Sequence, residues 1–168
     1  MEKLNDLNDL FQHELKDLYN AEQQILKALP KMADATSHDD LRRAFQEHEQ
    51  VTREQVRRLE TIADDLGFDL KGTKCKGIEG IIDEGKDLLK ADAEPSTRDA
   101  ALIGSAQRVE HYEIAGYGTA RTYARRLGFD RAAELLQTTL DEEENTDLRL
   151  TQLAETVVNP DAQAERMR

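Results

Sequence analysis

The chain has 168 residues, the length of one domain that can bury a hydrophobic core without disulfides or a structural metal. Its 35 acidic residues outnumber its 23 lysines and arginines, and the net charge of −12 argues against nucleic acid and anionic membranes as partners. No apolar run approaches the about 20 residues that span a bilayer, and the N-terminal segment lacks signal-peptide features, so we expect a cytoplasmic protein.

The first predicted helix starts near Leu4 and carries apolar residues at steps of three and four as far as Met32. The stripe has one gap, and the residue that fills it is Glu22. A carboxylate at this position is predicted to face the interior, unless it lies on the flank of the helix and contacts a neighbour one turn away.

The second predicted helix follows a short turn, where Thr36 or Ser37 can cap its first turn. Gly67 ends it. Its inner face mixes apolar and polar side chains, namely Leu41, Phe45, His48, Val51 or Thr52, Gln55, Leu59 and Ile62.

A long crossover, about residues 68–96, then contains a loop and a short helix that Gly80 and Gly85 interrupt. We place this helix in the connection and outside the main bundle. The single cysteine, Cys75, lies in the loop and can form no internal disulfide. An incidental loop thiol is the more typical reading of Cys75, with a reactive thiol as the alternative.

Pro95 blocks continuation of the helix before it, and Ser96 or Thr97 can cap the third predicted helix, which runs to about residue 126. The fourth spans about residues 130–158, and Asn159-Pro160 is predicted to end it. Residues 159–168 are predicted to be a frayed tail.

The pattern therefore predicts an all-α chain in which residues 1–168 form one domain, with the bundle at about residues 3–158. Short turns make the first and second helices one antiparallel hairpin and the third and fourth another. A single long crossover between two hairpins is the connectivity of ferritin-like four-helix bundles. The fold class we predict is such a bundle with a short extra helix in the crossover.

The polar core positions are predicted to lie at one height, because residues at equal distances from a hairpin turn are level. Glu22 is then level with about residue 49, close to His48. Glu110 is level with about residue 147 and Glu113 with about residue 144, close to the acidic residues Glu143 and Asp147.

Carboxylates that crowd together in an apolar interior require a cation or shared protons. Oxygen ligands with one imidazole suit iron or manganese, so we predict one or two such ions per chain. The predicted metal ligands are Glu22, His48, Glu110, Glu113, Glu143 and Asp147.

Each of these residues also has an ordinary interpretation. The acidic run that contains Glu143 is typical of a solvated helix face, and His48 of an amphipathic helix. Glu110 and Glu113 can be satisfied at a surface by a neighbour such as Arg108. The match in height is what favours the metal site over these separate interpretations.

Four segments of the chain are distinctive, namely "DLYNAEQQILKALPKMA", "KCKGIEGIIDEG", "RDAALIGSAQRVEHYEIAGYGT" and "AAELLQTTLDEEENTDLRLTQLA". In these segments, and over residues 7–158 as a whole, the chain resembles the YciF/YciE-type bacterial stress-response proteins of the ferritin-like superfamily. The resemblance implies a rubrerythrin-like di-metal four-helix bundle and a homodimer. It implies little about the reaction, because the activity of this family is poorly defined.

By position, the resemblance assigns ligand roles to Glu22 and to the acidic pairs Glu110 with Glu113 and Glu143 with Asp147. The second helix departs from the family pattern, because Val51 stands where a carboxylate is expected. One ligand is therefore missing unless His48, Glu47 or Gln55 compensates.

Two functional hypotheses follow. The first is a metal-binding stress-response protein with a ferroxidase or peroxide-consuming role, in which Tyr19 and Tyr117 are either hydrogen-bond partners of the ligands or plain core residues. The second is a non-enzymatic stress or structural dimer whose di-metal site is degenerate. The sequence identifies no catalytic residue and no substrate, and it leaves open whether the chain is an enzyme.

Overall fold

The computed structural model describes residues 3–165, which form helices and connecting segments without a β-strand. The prediction of an all-α chain is thereby confirmed. In the described residues, no helix is long and apolar enough to cross a membrane. The helices are α1 Leu7–Ala35, α2 Asp39–Leu66, α3 Lys76–Lys90, α4 Pro95–Leu127, α5 Asp130–Leu153 and α6 Asn159–Glu165, with a π-helical turn at Ala154–Val158 between α5 and α6.

The four long helices form two hairpins that pack on each other. Residues 36–38 connect α1 to α2, and residues 128–129 connect α4 to α5, so the helices of each pair are antiparallel neighbours. The hairpins meet where α1 packs on α4 and where α2 packs on α5. The crossover helix α3 packs against α1 and α4.

The apolar core consists of two clusters that a layer of buried polar residues separates. The first cluster lies toward the start of α1 and the end of α2 and includes Phe11, Leu15, Leu18, Leu59, Ile62, Tyr117 and Leu136. The second cluster includes Ile25, Leu29, Leu41, Phe45, Leu102, Ile103 and Leu150. On each long helix the polar positions fall between the two clusters, where Glu22, His48, Thr52, Gln55, Glu110, Glu113 and Glu143 are buried.

The first helix starts one turn later than predicted. Leu4 lies outside α1 and is 49% exposed, and the Asp6 side chain caps the helix by accepting a hydrogen bond from the Asp9 amide. An aspartate at the N-cap satisfies an amide that has no partner within the helix, so the helix begins there and not at the first apolar residue.

The predicted caps of the second and third helices are wrong, because distant carboxylates cap both. The buried Asp99 accepts hydrogen bonds from the amides of Ser37 (3.0 Å) and His38 (2.8 Å) at the start of α2. Glu165 accepts hydrogen bonds from the amides of Ser96 (3.0 Å) and Thr97 (3.3 Å) in the first turn of α4. Neither Thr36, Ser37, Ser96 nor Thr97 supplies a capping side chain.

The predicted end of the fourth helix at Asn159-Pro160 is also wrong. The chain continues through the π-helical turn into α6, which packs on α4. A π turn pairs each amide with the carbonyl five residues back, so the helical register changes just before Pro160, which has no amide hydrogen to lose. Residues 159–165 are therefore helix and not a frayed tail, and 166–168 lie outside the described residues.

The extra helix in the crossover is confirmed, but it is continuous, and neither Gly80 nor Gly85 interrupts it. It buries Ile78 completely and packs along two long helices, which offsets the weak helix propensity of glycine. Cys75, directly before α3, is buried as well, with its Sγ 3.1 Å from both an Asp17 carboxylate oxygen and the Tyr112 hydroxyl.

Candidate metal centre

Four side chains from three helices converge in the polar layer. His48 comes from α2, Glu110 and Glu113 from α4, and Glu143 from α5, and none is more than 5% exposed. Each offers one ligand atom, and these atoms all lie within 4.8 Å of one another. We call these residues the four-residue cluster.

Helical spacing and the flanking apolar clusters explain this arrangement. Glu110 and Glu113 are three residues apart on α4, so both point to the same side of the helix. Apolar clusters lie above and below the polar layer, and the carboxylates between them are almost fully buried. A charged group in such a place is costly to ionise without a compensating charge.

Hydrogen bonds from neighbouring residues fix two of the buried carboxylates. The Tyr117 hydroxyl donates to one oxygen of Glu22, and the Gln55 side-chain amide donates to one oxygen of Glu143. Gln55 and Tyr117 are both fully buried, so packing holds their side chains in place. These contacts orient the carboxylates before any cation binds.

The contacts of His48 suit the tautomer that carries its proton on Nδ1. The Thr146 hydroxyl donates to the Glu142 carbonyl oxygen at 2.9 Å, so its own oxygen can accept a hydrogen bond from His48 Nδ1, 3.4 Å away. His48 Nε2 then carries a lone pair, 3.3 Å from a Glu110 carboxylate oxygen and without a hydrogen-bond partner. An imidazole held in this way presents the nitrogen that a metal ion binds.

Burial changes the protonation of the centre. Desolvation, reinforced by the charge of Glu143, raises the pKa of Glu22 to about 8, although the Tyr117 hydrogen bond opposes the shift. Desolvation and neighbouring carboxylates raise the pKa values of Glu110 and Glu113 well above the ordinary range. Burial lowers the pKa of His48, so its ring is neutral near pH 7.

The residues present fit a divalent cation. Ligand atoms at about 2.1 Å from one ion lie at most about 4.2 Å apart, so the four-residue cluster needs only small shifts to share an ion. Many polar atoms of this cluster and of the adjacent Glu22 have no hydrogen-bond partner although they are buried, and such atoms are rare in native proteins. They are Glu22 Oε2, His48 Nε2, Glu110 Oε2, both carboxylate oxygens of Glu113, and Glu143 Oε2.

Two predicted ligands lie outside the four-residue cluster. Glu22 adjoins it, because its carboxyl is fully buried and, besides desolvation, its charge raises the pKa of Glu113. Asp147 turns away, and its carboxylate accepts a hydrogen bond from Gln107 at 3.1 Å and lies 3.2 Å from the exposed His111 ring. The ligand roles of all six predicted residues stay predictions.

The structure shows the surroundings of Val51, the α2 position at which a carboxylate is expected. Val51 is half-buried and lines a small cavity of about 130 Å³ beside His48 and Glu110. Glu47 is exposed and pairs with Arg149, so it does not replace the carboxylate. Gln55 does reach the polar layer, and its Oε1 atom has no hydrogen-bond partner.

Sequence reasoning missed a salt bridge that borders the centre. Both terminal guanidinium nitrogens of Arg58 donate to Glu142, at 2.6 and 2.7 Å, and Glu142 also accepts from Gln55 at 3.2 Å. The signal was available, because Gln55 and Arg58 are one turn apart on α2 and Glu142 precedes Glu143. Tyr19, predicted as either a partner of the ligands or a core residue, donates its hydroxyl hydrogen bond to Glu60.

Comparison with protein families identifies the family of the chain. A family model described as "Domain of unknown function (DUF892)" matches residues 6–163. The chain belongs to the DUF892 family. Over 161 residues it is 43% identical to protein YciF of Escherichia coli K12, a match that covers 95% of this chain and 97% of YciF.

Three solved structures have the same fold as this chain. The crystal structure of YciF, an E. coli stress protein, matches with a TM-score of 0.90 over 93% of this chain and 99% of YciF. YcfI from Rhodopseudomonas palustris, described as a proposed structural protein, is 39% identical with a TM-score of 0.86, over 89% of this chain and 95% of that one. A Xanthomonas campestris protein, 18% identical, shares the fold with a TM-score of 0.76, over 96% of this chain and 99% of that one.

Proposed function

We propose that this DUF892 protein is a single-domain ferritin-like four-helix bundle that holds iron or manganese among its buried carboxylates and acts in a stress response. The observation that carries the proposal is the four-residue cluster, whose ligand atoms converge while several of their lone pairs lack partners. The similarity to the stress protein YciF supports the stress role. We further propose that the chain is cytoplasmic and forms a homodimer. Light scattering tests the dimer directly.

The residues of the chain would hold the ion as follows. His48 supplies a neutral nitrogen, and Glu110, Glu113 and Glu143 supply carboxylate oxygens, with Glu22 able to bridge from α1. Gln55 and Tyr117 keep the oxygens that they contact in place. A bound iron or manganese ion would supply the electron-transfer chemistry of a ferroxidase or peroxide-consuming reaction.

A second candidate function is a non-enzymatic helical dimer whose di-metal site is degenerate. Two observations favour it. Val51 offers no lone pair at the position of a ligand, and the raised pKa of Glu22 allows the layer to hold protons in place of a cation. The description of YcfI as a proposed structural protein is in line with this alternative.

Metal analysis separates the two functions. Protein purified without chelator is loaded anaerobically with ferrous iron, desalted and analysed for metal. We expect nearer one ion than two per chain, because the α2 side lacks a carboxylate at Val51. Val51→Glu should raise the count, and Glu113→Ala should abolish retention.

The matched control is Glu144→Ala, which removes an exposed carboxylate beside Glu143 and should leave the metal content unchanged. If Glu113→Ala retains as much iron as the parent, the site lies elsewhere and the metal assignment is wrong. If the parent retains no iron or manganese at all, the structural function is favoured.

A further inference from the structure

A second feature of the molecule is a cavity of about 520 Å³ that lies mainly between α1, α3 and α4. Its volume lies in the range of about 300–1,000 Å³ that is usual for small-molecule sites, and it is much larger than a metal ion needs. The walls are mainly apolar and include Ile25, Leu29, Met32, Ile82, Leu89 and Val109.

The inner end of this cavity reaches the candidate metal centre. His48 and Glu110, the pair whose nitrogen and oxygen lie 3.3 Å apart, both line it. A molecule that fills the cavity therefore has one end beside the four-residue cluster and the other end near the surface.

The outer rim is basic, which is unusual on a chain with a net charge of −12. Four exposed lysines line it. Lys74 and Lys86 pair with Glu79 and Asp83, at 2.5 and 2.7 Å. The other two, Lys27 and Lys31, are one turn apart on α1, and the described residues give them no ion-pair partner. Two unpaired cations beside an apolar chamber are complementary to an anion with an apolar tail.

We propose that this cavity binds an aliphatic carboxylate, with its head group at Lys27 and Lys31 and its tail directed toward His48 and Glu110. The apolar walls would bury the tail, and the two lysines would neutralise the head. Binding does not depend on a metal. The idea that the bound molecule meets a reactive ion does rest on the proposed function.

The test uses isothermal titration calorimetry on the full chain after metal removal with a chelator. The probes are decanoate, decyltrimethylammonium, which has the same tail and the opposite charge, and butyrate, which has the same head and a short tail. We expect decanoate to bind once per chain and each of the other probes to bind at least about tenfold more weakly. Equal binding of decyltrimethylammonium would overturn the role of the lysines.

A variant that fills the cavity tests the location. Gly85 lines the cavity, and a Cβ placed there meets Ser105 only at ordinary contact distance, 3.5 Å, so Gly85→Leu is expected to occupy part of the space. It should weaken decanoate binding at least about tenfold. Gly80→Leu on the same helix is the control, because a Cβ there meets nothing within 4 Å and Gly80 does not line the cavity.

A charge variant keeps the test valid if Gly85→Leu does not fold. Lys27→Gln with Lys31→Gln should weaken decanoate binding about fivefold at low salt. Lys71→Gln with Lys76→Gln changes the net charge equally, away from the cavity lining, and should have no effect.

Three outcomes overturn the cavity proposal. They are no decanoate binding, equal effects of the test and control variants, and loss of dimer mass on decanoate addition, which would make this face a subunit contact. Iron retention by the parent is measured separately, so the proposed metal function can fail while decanoate binds, or hold while it does not.

Discussion

Removing the charge of Glu22 should change how the stability of the metal-free protein depends on pH. The folded protein keeps a proton on Glu22 up to about pH 8, whereas an ordinary glutamate in the unfolded chain releases it near 4.5. Because the folded state binds more protons in this interval, the free energy of unfolding must fall as pH rises through it. The stabilisation is complete below the unfolded pKa and is lost as pH passes the folded one.

The size of the effect follows from the two pKa values. Each pH unit within the window changes the free energy of unfolding by about 1.4 kcal/mol for one fully buried group. Between about pH 5.5 and pH 8, the ionisation of Glu22 alone should therefore lower the free energy of unfolding by about 3 kcal/mol. Glu110 and Glu113 act in the same direction, because their pKa values are raised by the same burial.

The assay is urea denaturation of chelator-treated protein, followed by far-ultraviolet circular dichroism, at about pH 5.5 and pH 8. Glu22→Gln keeps an oxygen that accepts the Tyr117 hydrogen bond but cannot ionise. Between the two pH values, the free energy of unfolding of the variant should fall by about 3 kcal/mol less than that of the parent. Glu134→Gln, an exposed change on α5, should leave the dependence unaltered.

Parallel pH profiles for the parent and Glu22→Gln would refute this reasoning. A further readout is the effect of manganese on the parent. Cations and protons compete for the same oxygens, so the ion should stabilise the parent more at about pH 8 than at about pH 5.5. Equal stabilisation at both pH values would argue against binding at these carboxylates.

Three other predictions concern contacts between distant parts of the chain. Asp99→Ala leaves the amides of Ser37 and His38 without their partner and should lower the free energy of unfolding by about 2 kcal/mol, as measured by urea denaturation. An unchanged midpoint would show that water replaces the carboxylate. Glu165→Ala removes the cap of α4 at an exposed site and should lower the urea midpoint by less than Asp99→Ala, so a larger loss would contradict the cap assignment. Cys75 is buried, and burial raises the pKa of its thiol. The thiol should therefore react with a disulfide reagent far more slowly in the folded chain than in urea. Equal rates would show that the thiol is accessible.

The sequence by itself was sufficient for the existence of the four long helices and for the position of the polar layer. Apolar residues at steps of three and four define the inner face of each helix, and this pattern is local. Because hairpin turns set the height of every residue, Glu22, His48, Glu110, Glu113 and Glu143 could be assigned to one layer from chain positions alone. The structure does place these five buried side chains together.

Only the tertiary structure decided which side chains turn inward at that layer and which distant groups satisfy the helix ends. Asp147 is one turn from Glu143, yet Gln107 and His111 hold it outside, while Gln55 from another helix takes a place beside Glu143. Helical periodicity fixes the direction of a residue to within a face, but the rotamer depends on partners that are far away in sequence. For the same reason, the sequence could not predict the cap that Asp99 forms across more than 60 residues or the cavity beneath α3.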